Sequence, residues 1–214
     1  MSVDSIGNVD FHAHILQGAD HGSRSVETSL KQLSYAELCG IKKVIATPHF
    51  YPHKHTVEGF LSRRQKAYDE LGKEYSGNID VLLGAEVLLC EGLENLGGLD
   101  ALCIQGTKTL LVELPFSDFR SSYVETLRKI TKRGFDVVLA HVDRYPREDI
   151  ESLVDVGITR FQVNADALAG LLKPKQIVHW INLGYVIALG SDIHGDDPKA
   201  YKRYSKAKKY LNKK

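Results

Sequence analysis

The chain has 214 residues, of which 43% are hydrophobic and 26% are charged, and its 28 basic and 27 acidic residues leave a formal net charge of +1. This is the composition of an ordinary globular protein, and the charge balance argues against a general nucleic-acid binder, which carries a strong basic excess. The longest stretch without a charged residue, residues 176–191, is too short and too polar for a membrane span.

The cysteine content and the first residues bear on where the protein works. Cys39, Cys90 and Cys103 are widely spaced, so they predict free thiols in a reducing compartment and no disulfide framework. Asp4 and Asp10 interrupt the first residues, which contain no apolar core of a secretory signal. We therefore expect a cytoplasmic protein without membrane insertion.

Predicted strands and helices alternate along the chain. They are a strand over 6–11, a helix over 25–39, a strand over 42–47, a helix over 57–75, strands over 79–85 and 110–113, a helix over 121–133, a strand over 135–140, a helix over 148–156, a strand over 161–164, a helix over 174–183, a strand over 185–189 and a helix over 197–211. The first helix has apolar residues at helical spacing, an N-cap at Ser23 or Ser25, and Gly40 after its last turn. Seven strands alternating with helices predict a parallel sheet, and the absence of repeats and linkers predicts one domain over residues 1–214.

Metal-competent or polar side chains follow every predicted strand. In strand order they are His12 and His14, His49, Glu86, Glu113, His141, Asn164, and Asp192 with His194. In a (β/α) barrel the C-terminal ends of the strands converge on one face, where the active site lies. The sequence therefore predicts a distorted (β/α)7 TIM-like barrel with a metal site at the C-terminal ends of its strands.

The number and type of these side chains predict two or three divalent metal ions. His12 and His14 are two residues apart, as are Asp192 and His194, so on an extended segment each pair points the same way. One zinc ion needs only three or four ligands, and mixed imidazole and carboxylate ligands suit Mn²⁺, Fe²⁺ or Zn²⁺ better than Ca²⁺ or Mg²⁺. Such a site favours hydrolysis of a phosphate-bearing substrate, which Arg144 is placed to bind.

Several segments resemble motifs of the PHP superfamily of metal-dependent phosphoesterases. Residues 9–16 (VDFHAHIL) resemble its first motif and residues 46–49 (ATPH) its second. The similarity is greater to the bacterial manganese-dependent protein-tyrosine phosphatases of capsule and exopolysaccharide operons. The matching segments are GAE at 84–86, EL at 113–114, AHVDRY at 140–145 and SDIH at 191–194.

This resemblance implies the PHP fold and a site for three metal ions, with Mn²⁺ as the preferred metal. The first ion would be held by His12, His14, Glu86 and Asp192, the second by Glu86, Glu113 and His141, and the third by His49, His194 and residue 21. Arg144 would hold the substrate phosphate. The subfamily has Asp where this chain has His21, so either His21 coordinates through nitrogen, or Asp20 turns in, or the third site is weak.

The resemblance also implies the reaction, which is hydrolysis of phosphotyrosine by attack of a metal-bridging hydroxide. His194 or His49 is the candidate proton donor. Phe50 and Tyr145, together with Tyr51, are placed near enough in the sequence to stack on the substrate's phenyl ring. The alternatives are a PHP phosphatase of a small phosphomonoester such as histidinol phosphate and a non-catalytic metal-binding module.

The last residues are strongly basic. Residues 199–214 contain eight Lys or Arg and no acidic residue, interleaved with tyrosines. They are interpreted as a solvated helix face, or as a docking surface for another subunit or for the acidic tail of a tyrosine kinase that regulates capsule or exopolysaccharide synthesis. The sequence leaves the oligomeric state open.

Overall fold

The computed structural model describes residues 7–116 and 119–213. Its strands are β1 (Val9–Ala13), β2 (Lys43–Ala46), β3 (His49–Phe50), β4 (Asp80–Leu83), β5 (Glu86–Leu88), β6 (Thr109–Glu113), β7 (Asp136–Leu139), β8 (Phe161–Asn164) and β9 (Val186–Gly190). Its α-helices are α1 (Val26–Leu38), α2 (Val57–Glu74), α3 (Ser121–Lys132), α4 (Arg147–Val154), α5 (Ala165–Ala169), α6 (Lys175–Asn182) and α7 (Ala200–Leu211). Short 3-10 helices cover Leu93–Asn95, Leu99–Leu102 and Val142–Arg144.

Local sequence signals account for the ends of the first helices. The Ser25 side chain caps α1 by accepting a hydrogen bond from the Thr28 N–H, and the Thr56 side chain caps α2 through the Gly59 N–H. Gly40 follows α1 with a φ of 73°, in the left-handed region that glycine adopts without strain. Of the two serines predicted as caps, Ser25 is therefore the N-cap.

All strand pairings among the described residues are parallel. One sheet has the order β1-β2-β4, and the other has the order β3-β5-β6-β7-β8-β9. β3 follows β2 after two residues, and β5 follows β4 after two residues, so the sheets meet where these two chain segments bend. Pro48 lies in the first bend, and its carbonyl accepts a hydrogen bond from the Glu86 N–H at 3.1 Å. This contact sets the start of β5 beside the start of β3.

Backbone hydrogen bonds also connect β1 with the segment after β9. The Asp192 N–H donates to the His12 carbonyl at 2.8 Å, and the His14 N–H donates to the Ile193 carbonyl at 3.2 Å. A small apolar cluster contains side chains from both sheets, namely Phe11, Ile45, Ile104, Leu111, Val138, Ala140 and Ala188. The C-terminal ends of the first and last strands are thus held side by side.

The α/β class with parallel strands is confirmed, and all seven predicted strands are present. The second and third each continue into a further short strand after their bend, which gives β3 and β5. Closure into a barrel is not established by the pairing, because no ladder joins β1 to β9 in the described ranges. The five-residue helix α5 was not predicted, and residue 6 of the first predicted strand lies outside the described residues.

The basic helix α7 is a core element on one face. Tyr201, Tyr204, Ala207 and Leu211 are buried. The Tyr201 hydroxyl donates to Asp10 Oδ2 at 2.7 Å, and the Tyr204 hydroxyl donates to the Val9 carbonyl at 2.6 Å. These two tyrosines hold β1 in place and are not part of a docking surface.

Within the described part of the chain, no helix combines the length and the apolar character that crossing a bilayer requires.

Candidate metal centre

The metal-competent side chains converge at the C-terminal ends of the strands. In four groups of three, the potential ligand atoms all lie within 4.8 Å of one another. The groups are His12, His14 and Asp192; His12, Glu86 and His141; His49, Glu86 and Glu113; and His14, His49 and His194. Every member belongs to the set that the sequence placed at strand ends.

Glu86, the first residue of β5, lies at the centre of the cluster and is 1% exposed. Its Oε1 is 2.7 Å from His141 Nε2, and its Oε2 is 3.2 Å from His12 Nε2 and 2.8 Å from His49 Nδ1. These three histidines come from different strands, so one carboxylate faces donors on several sides. Such a carboxylate is suited to bridging two cations.

Two more carboxylates share these histidines with Glu86. Asp192 Oδ1 is 3.4 Å from His14 Nε2 and 3.7 Å from His12 Nε2. Glu113 Oε1 is 3.7 Å from His141 Nε2, and its Oε2 is 4.0 Å from His49 Nδ1. Each carboxylate therefore completes a mixed set of nitrogen and oxygen donors.

The remaining group contains histidines only. The His14 ring centroid is 4.1 Å from that of His194 and 4.5 Å from that of His49. The exposed His21 stacks on His49 at 4.8 Å with an interplanar angle of 9° and lies 4.8 Å from His194. Asp20 already has hydrogen-bond partners, because its Oδ2 lies 2.6 Å from His14 Nδ1 and accepts the His49 N–H at 3.0 Å. Asp20 therefore orients two histidines, and His21 stands beside the third group.

Sequence reasoning missed Gln162 on β8, which holds two of the histidines. Its Oε1 lies 3.0 Å from His12 Nδ1 and accepts the His141 N–H at 2.7 Å. Its Nε2 donates to Asn164 Oδ1, and Asn164 Nδ2 donates to Asp192 Oδ2, both at 2.9 Å. The available signal was a glutamine between the apolar Phe161 and Val163 in a strand, Phe161–Asn164, that is buried throughout. Partners of this kind orient metal ligands and fix the histidine tautomer.

Two residues of the cluster have a positive φ, and two glycines next to it leave no room for a Cβ atom. His141 has a φ of 30° and Asp192 a φ of 50°, in a left-handed region that costs non-glycine residues about 1–3 kcal/mol. A Cβ atom at Gly190 would lie 2.7 Å from the His12 Cβ, and one at Gly22 would lie 2.2 Å from the His14 Cβ. Glycine is therefore required at both positions for the first histidine pair to sit where it does.

Burial and mutual charge set the titration of the cluster. Burial lowers the pKa of His12, but the Glu86 and Asp192 carboxylates outweigh it and raise the pKa to about 9. Burial and the nearby Glu86 charge raise the pKa of Glu113 to about 8. Burial and the neighbouring His14 lower the pKa of His194 to about 4. At pH 7 His194 is therefore neutral, whereas His12 carries a proton that a bound cation would have to displace.

The donor set fits divalent metal ions. Glu86 Oε2, His49 Nδ1 and His194 Nε2 are buried and have no hydrogen-bond partner. The first two atoms lie 2.8 Å apart but are not oriented for a hydrogen bond. An unsatisfied buried polar atom costs about 1–3 kcal/mol, a cost that a bound cation would remove. Imidazole and carboxylate donors together match Mn²⁺, Fe²⁺ and Zn²⁺.

Arg144 lies at the edge of the cluster. Its Nη2 donates to Asp192 Oδ2 at 2.5 Å, while its side chain is 44% exposed. With Asp192 and His194 it lines an open cavity of ≈ 340 Å³. A guanidinium group in this position is accessible to a substrate and adjacent to the metal-competent side chains.

Two aromatic residues predicted to contact substrate are buried. Phe50 is 0% exposed and packs edge-on against Phe60 at 5.3 Å, so no face of its ring is left for a ligand. Tyr145 is 5% exposed, and its hydroxyl lies 3.1 Å from His141 Nδ1, the Leu114 N–H and the Leu114 carbonyl. Phe50 is a core residue and Tyr145 positions His141, which corrects both expectations.

Comparisons with known proteins agree with this geometry. The chain is 31% identical over 201 residues to the tyrosine-protein phosphatase YwqE of Bacillus subtilis, covering 87% of this chain and 77% of the relative. It is 25% identical over 210 residues to the tyrosine-protein phosphatase CpsB of Streptococcus pneumoniae, covering 89% of this chain and 84% of the relative.

Solved structures show the same fold. One solved structure belongs to a set of crystal structures of YwqE from Bacillus subtilis and CpsB from Streptococcus pneumoniae, which are described as unique metal-dependent tyrosine phosphatases. It superposes on this chain with a TM-score of 0.72 at 24% identity, covering 96% of this chain and 86% of that one. Histidinol phosphate phosphatase from Lactococcus lactis, solved with zinc, L-histidinol and phosphate, gives a TM-score of 0.60 at 12% identity, covering 96% and 94%. The model of the family Capsular polysaccharide synthesis, CpsB/CapC, matches residues 8–214, and the chain belongs to that family.

Proposed function

We propose that the chain is a metal-dependent phosphatase that hydrolyses phosphotyrosine in a protein substrate. The observation that carries the proposal is the convergence of eight metal-competent side chains beside Arg144, at the edge of an open cavity. The names of the relatives YwqE and CpsB support tyrosine phosphate as the substrate.

The proposed cofactor is a set of two or three divalent cations, with Mn²⁺ preferred over Fe²⁺ and Zn²⁺. His12, His14, Glu86 and Asp192 would hold the first, Glu86, Glu113 and His141 the second, and His49, His194 and His21 the third. Bound divalent cations lower the pKa of water and offset the charge on phosphoryl oxygens. The third set has no carboxylate, so we propose that it binds Mn²⁺ weakly and suits Zn²⁺ or Fe²⁺ better.

Arg144 is the proposed phosphate-binding residue. Its planar guanidinium can donate to two phosphoryl oxygens at once, and its partial exposure leaves it open to the substrate. The low pKa of His194 makes it a poor proton donor at pH 7, which leaves His49 as the other candidate acid. Little proton donation is needed, because the phenol of tyrosine has a pKa of about 10 and leaves readily.

The alternative substrate is a small phosphomonoester such as histidinol phosphate. The histidinol phosphate phosphatase shares this architecture at low sequence identity, which is evidence about the fold alone. Phosphotyrosine remains the better proposal because the relatives at 25–31% identity are named tyrosine-protein phosphatases. A non-catalytic metal-binding module is disfavoured by an accessible Arg144 beside a full donor set.

The proposed partner is the phosphorylated tail of a bacterial tyrosine kinase, which is supported by a lysine stripe on α7. We define the lysine stripe as the exposed Lys202, Lys206 and Lys209, which recur at helical spacing along about 10 Å of helix surface, together with the exposed Lys213 just after the helix. The helix starts at Ala200, which lines the same cavity as Arg144. An anionic peptide bound at the site could therefore continue along the stripe.

The barrel architecture, the single domain and the cellular location predicted from the sequence remain proposals. We propose that the two sheets act as one seven-stranded distorted barrel, in which β2 with β3 and β4 with β5 each count as one bent strand. The hydrogen bonds between β1 and the segment after β9 support this. We also propose a single domain over residues 1–214 and a cytoplasmic location, the latter supported by three free cysteines.

The test is phosphate release from a phosphotyrosine peptide by EDTA-treated protein, with and without Mn²⁺, with histidinol phosphate assayed in parallel. We expect metal-dependent release from the peptide and a loss of about 10²–10³-fold in kcat/KM for Arg144→Ala, the usual cost of removing one donor to a developing oxyanion. Arg147→Ala is the matched control, because Arg147 pairs with Glu151 on the surface of α4. Preference for histidinol phosphate, or equal loss in both variants, would contradict the proposal.

A further inference from the structure

A second open cavity adjoins the candidate metal centre on the side of the all-histidine donor group. It has a volume of ≈ 420 Å³, and its lining includes His21, Arg24 and His194. His194 also lines the cavity of Arg144, so the two cavities meet at one histidine side chain. The proposed hydrolysis of phosphotyrosine makes no use of this second cavity.

Arg24 brings a positive charge to this cavity that the surrounding acidic residues do not neutralise. It is exposed, and it forms no ion pair with any residue that the structure describes. Asp196, the one acidic residue among the described lining residues, accepts a hydrogen bond from the Tyr35 hydroxyl at 2.7 Å and pairs with Lys31 at 3.4 Å. Glu27 also pairs with Lys31, at 3.0 Å. The guanidinium of Arg24 is therefore available to an anion from outside the chain.

The start of helix α1 adds to the positive potential of the cavity. Arg24 directly precedes Ser25, the N-cap of α1, and Thr28 in the first turn of the helix lines the cavity. The N-terminus of a helix carries a partial positive charge that attracts anions. The side-chain cation and the positive end of the helix thus both favour a negatively charged occupant.

The second cavity lies close to the proposed phosphate-binding residue. Arg144 Nη2 contacts Asp192 Oδ2, and Asp192 Oδ1 is 3.5 Å from Nδ1 of His194, which lines the second cavity. Two side-chain contacts therefore connect Arg144 with this cavity. Consecutive residues of an extended peptide are about 3.4 Å apart, so residues one to three positions from a phosphotyrosine cover a separation of this order.

We propose that Arg24 and its cavity form a carboxylate subsite, which selects peptides that carry an acidic residue close to the phosphotyrosine. The planar guanidinium can donate two parallel hydrogen bonds to one carboxylate. The proposal rests on the proposed function and adds a residue that determines its sequence specificity. The subsite differs from the lysine stripe, because α7 starts at Ala200, which lines the cavity of Arg144 and not that of Arg24.

The test is calorimetry on the Mn²⁺-loaded protein with short peptides that carry the non-hydrolysable phosphonomethylphenylalanine, flanked on both sides by Glu, by Gln or by Lys. We expect the wild type to bind the Glu peptide about three- to fivefold more tightly than the Gln peptide at low salt, the usual contribution of one accessible ion pair. Arg24→Gln should bind these two peptides equally, and Arg24→Glu should prefer the Lys peptide. Arg128→Gln is the matched control, because Arg128 pairs with Glu125 on the surface of α3.

The outcomes distinguish the subsite from the proposed function. Equal binding of the Glu and Gln peptides by the wild type would overturn the subsite alone, because the phosphonate group would still be recognised. An equal loss of preference in Arg24→Gln and Arg128→Gln would also overturn it, since net charge and not the cavity would then account for the effect. A wild type that binds none of the three peptides would overturn the proposed function and the subsite with it.

Discussion

At the scale of single residues, the candidate site depends on neutral side chains as much as on the metal-competent ones. Gln162 uses one oxygen for His12 and for the backbone of His141 and connects through Asn164 to Asp192. Three residues that we expect to bind metal are thus oriented by one amide. Without this amide, the free energy needed to order these three side chains would reduce the affinity for the metal.

For Gln162→Leu we expect a loss of about 10–100-fold in metal affinity, the usual effect of removing a partner that orients a ligand. The variant keeps the side-chain volume, so the fold should persist. Titration with Mn²⁺ monitored by calorimetry measures the change, and Gln65→Leu, an exposed glutamine on α2, is the control. Unchanged affinity would show that strand geometry alone positions the histidines.

With His21, the proposed third donor set contains only imidazole nitrogens and no carboxylate. Replacing it as His21→Asp adds a carboxylate next to His49 and His194, so we expect a third Mn²⁺ per chain, or tighter binding of an ion already present. Elemental analysis after dialysis against limiting Mn²⁺ measures the stoichiometry. Identical stoichiometry and affinity in His21→Asp and wild type would contradict a weak third site.

At the scale of secondary structure elements, helix α7 divides its two faces between different tasks. Tyr201, Tyr204 and Leu211 pack into the core, while the lysine stripe faces solvent. Removal of the helix would therefore destabilise the fold and would not report on docking. Substitutions confined to the stripe are the appropriate test.

For Lys206→Glu combined with Lys209→Glu, we expect KM for an acidic phosphotyrosine peptide to rise roughly three- to tenfold at low salt, with kcat unchanged. Salt near 0.5 M should remove most of the difference, since the Debye length there is only about 4 Å. Lys66→Glu with Lys73→Glu on α2 gives the same change of net charge as a control. An equal effect of both pairs would mean that only net charge matters.

The same scale shows which parts of the fold could be predicted. The strand ends with His12, Glu113 and His141 were predictable, because apolar runs followed by polar residues mark the C-terminal ends of parallel strands. The bends after Ala46 and Leu83 were not, because each joins two strand segments through only two residues and the second segment is two or three residues long. Helix α5 has five residues, too few for helical periodicity to show.

The candidate site was predictable in its charged members and less so in its surroundings. Histidines and carboxylates are conspicuous at strand ends, whereas the exposure of an aromatic side chain depends on distant packing. Phe50 and Phe116 both follow or end short strands, yet Phe50 is covered by α2 and Phe116 is not. Sequence position alone cannot separate the two.

At the scale of the whole molecule, the donors form a dense group of like and unlike charges that a cation would stabilise. A ligand at a hundredfold excess over its Kd stabilises the folded state by about 2.7 kcal/mol. A chain of this size gains about 2–4 °C in Tm per kcal/mol. Metal binding should therefore be visible in the stability of the entire fold.

We expect Mn²⁺ to raise the Tm of EDTA-treated protein by roughly 5–11 °C at that excess. Glu86→Gln should lose most of this increase, since Glu86 contributes to two of the donor groups. Differential scanning calorimetry measures the Tm, and Glu125→Gln, at an exposed position, is the control. A wild-type Tm that does not change when Mn²⁺ is added would contradict a metal centre at this position.

The hydrogen bonds between β1 and the segment after β9 have a consequence for biosynthesis. His12 and Asp192 lie side by side in the structure but are separated by 180 positions in the chain, so the first histidines leave the ribosome long before their carboxylate partner is made. A nascent chain cannot assemble the first donor group until nearly all of it has been translated. Metal loading at this donor group would therefore wait until the polypeptide is nearly complete, and products truncated before Asp192 would lack the group.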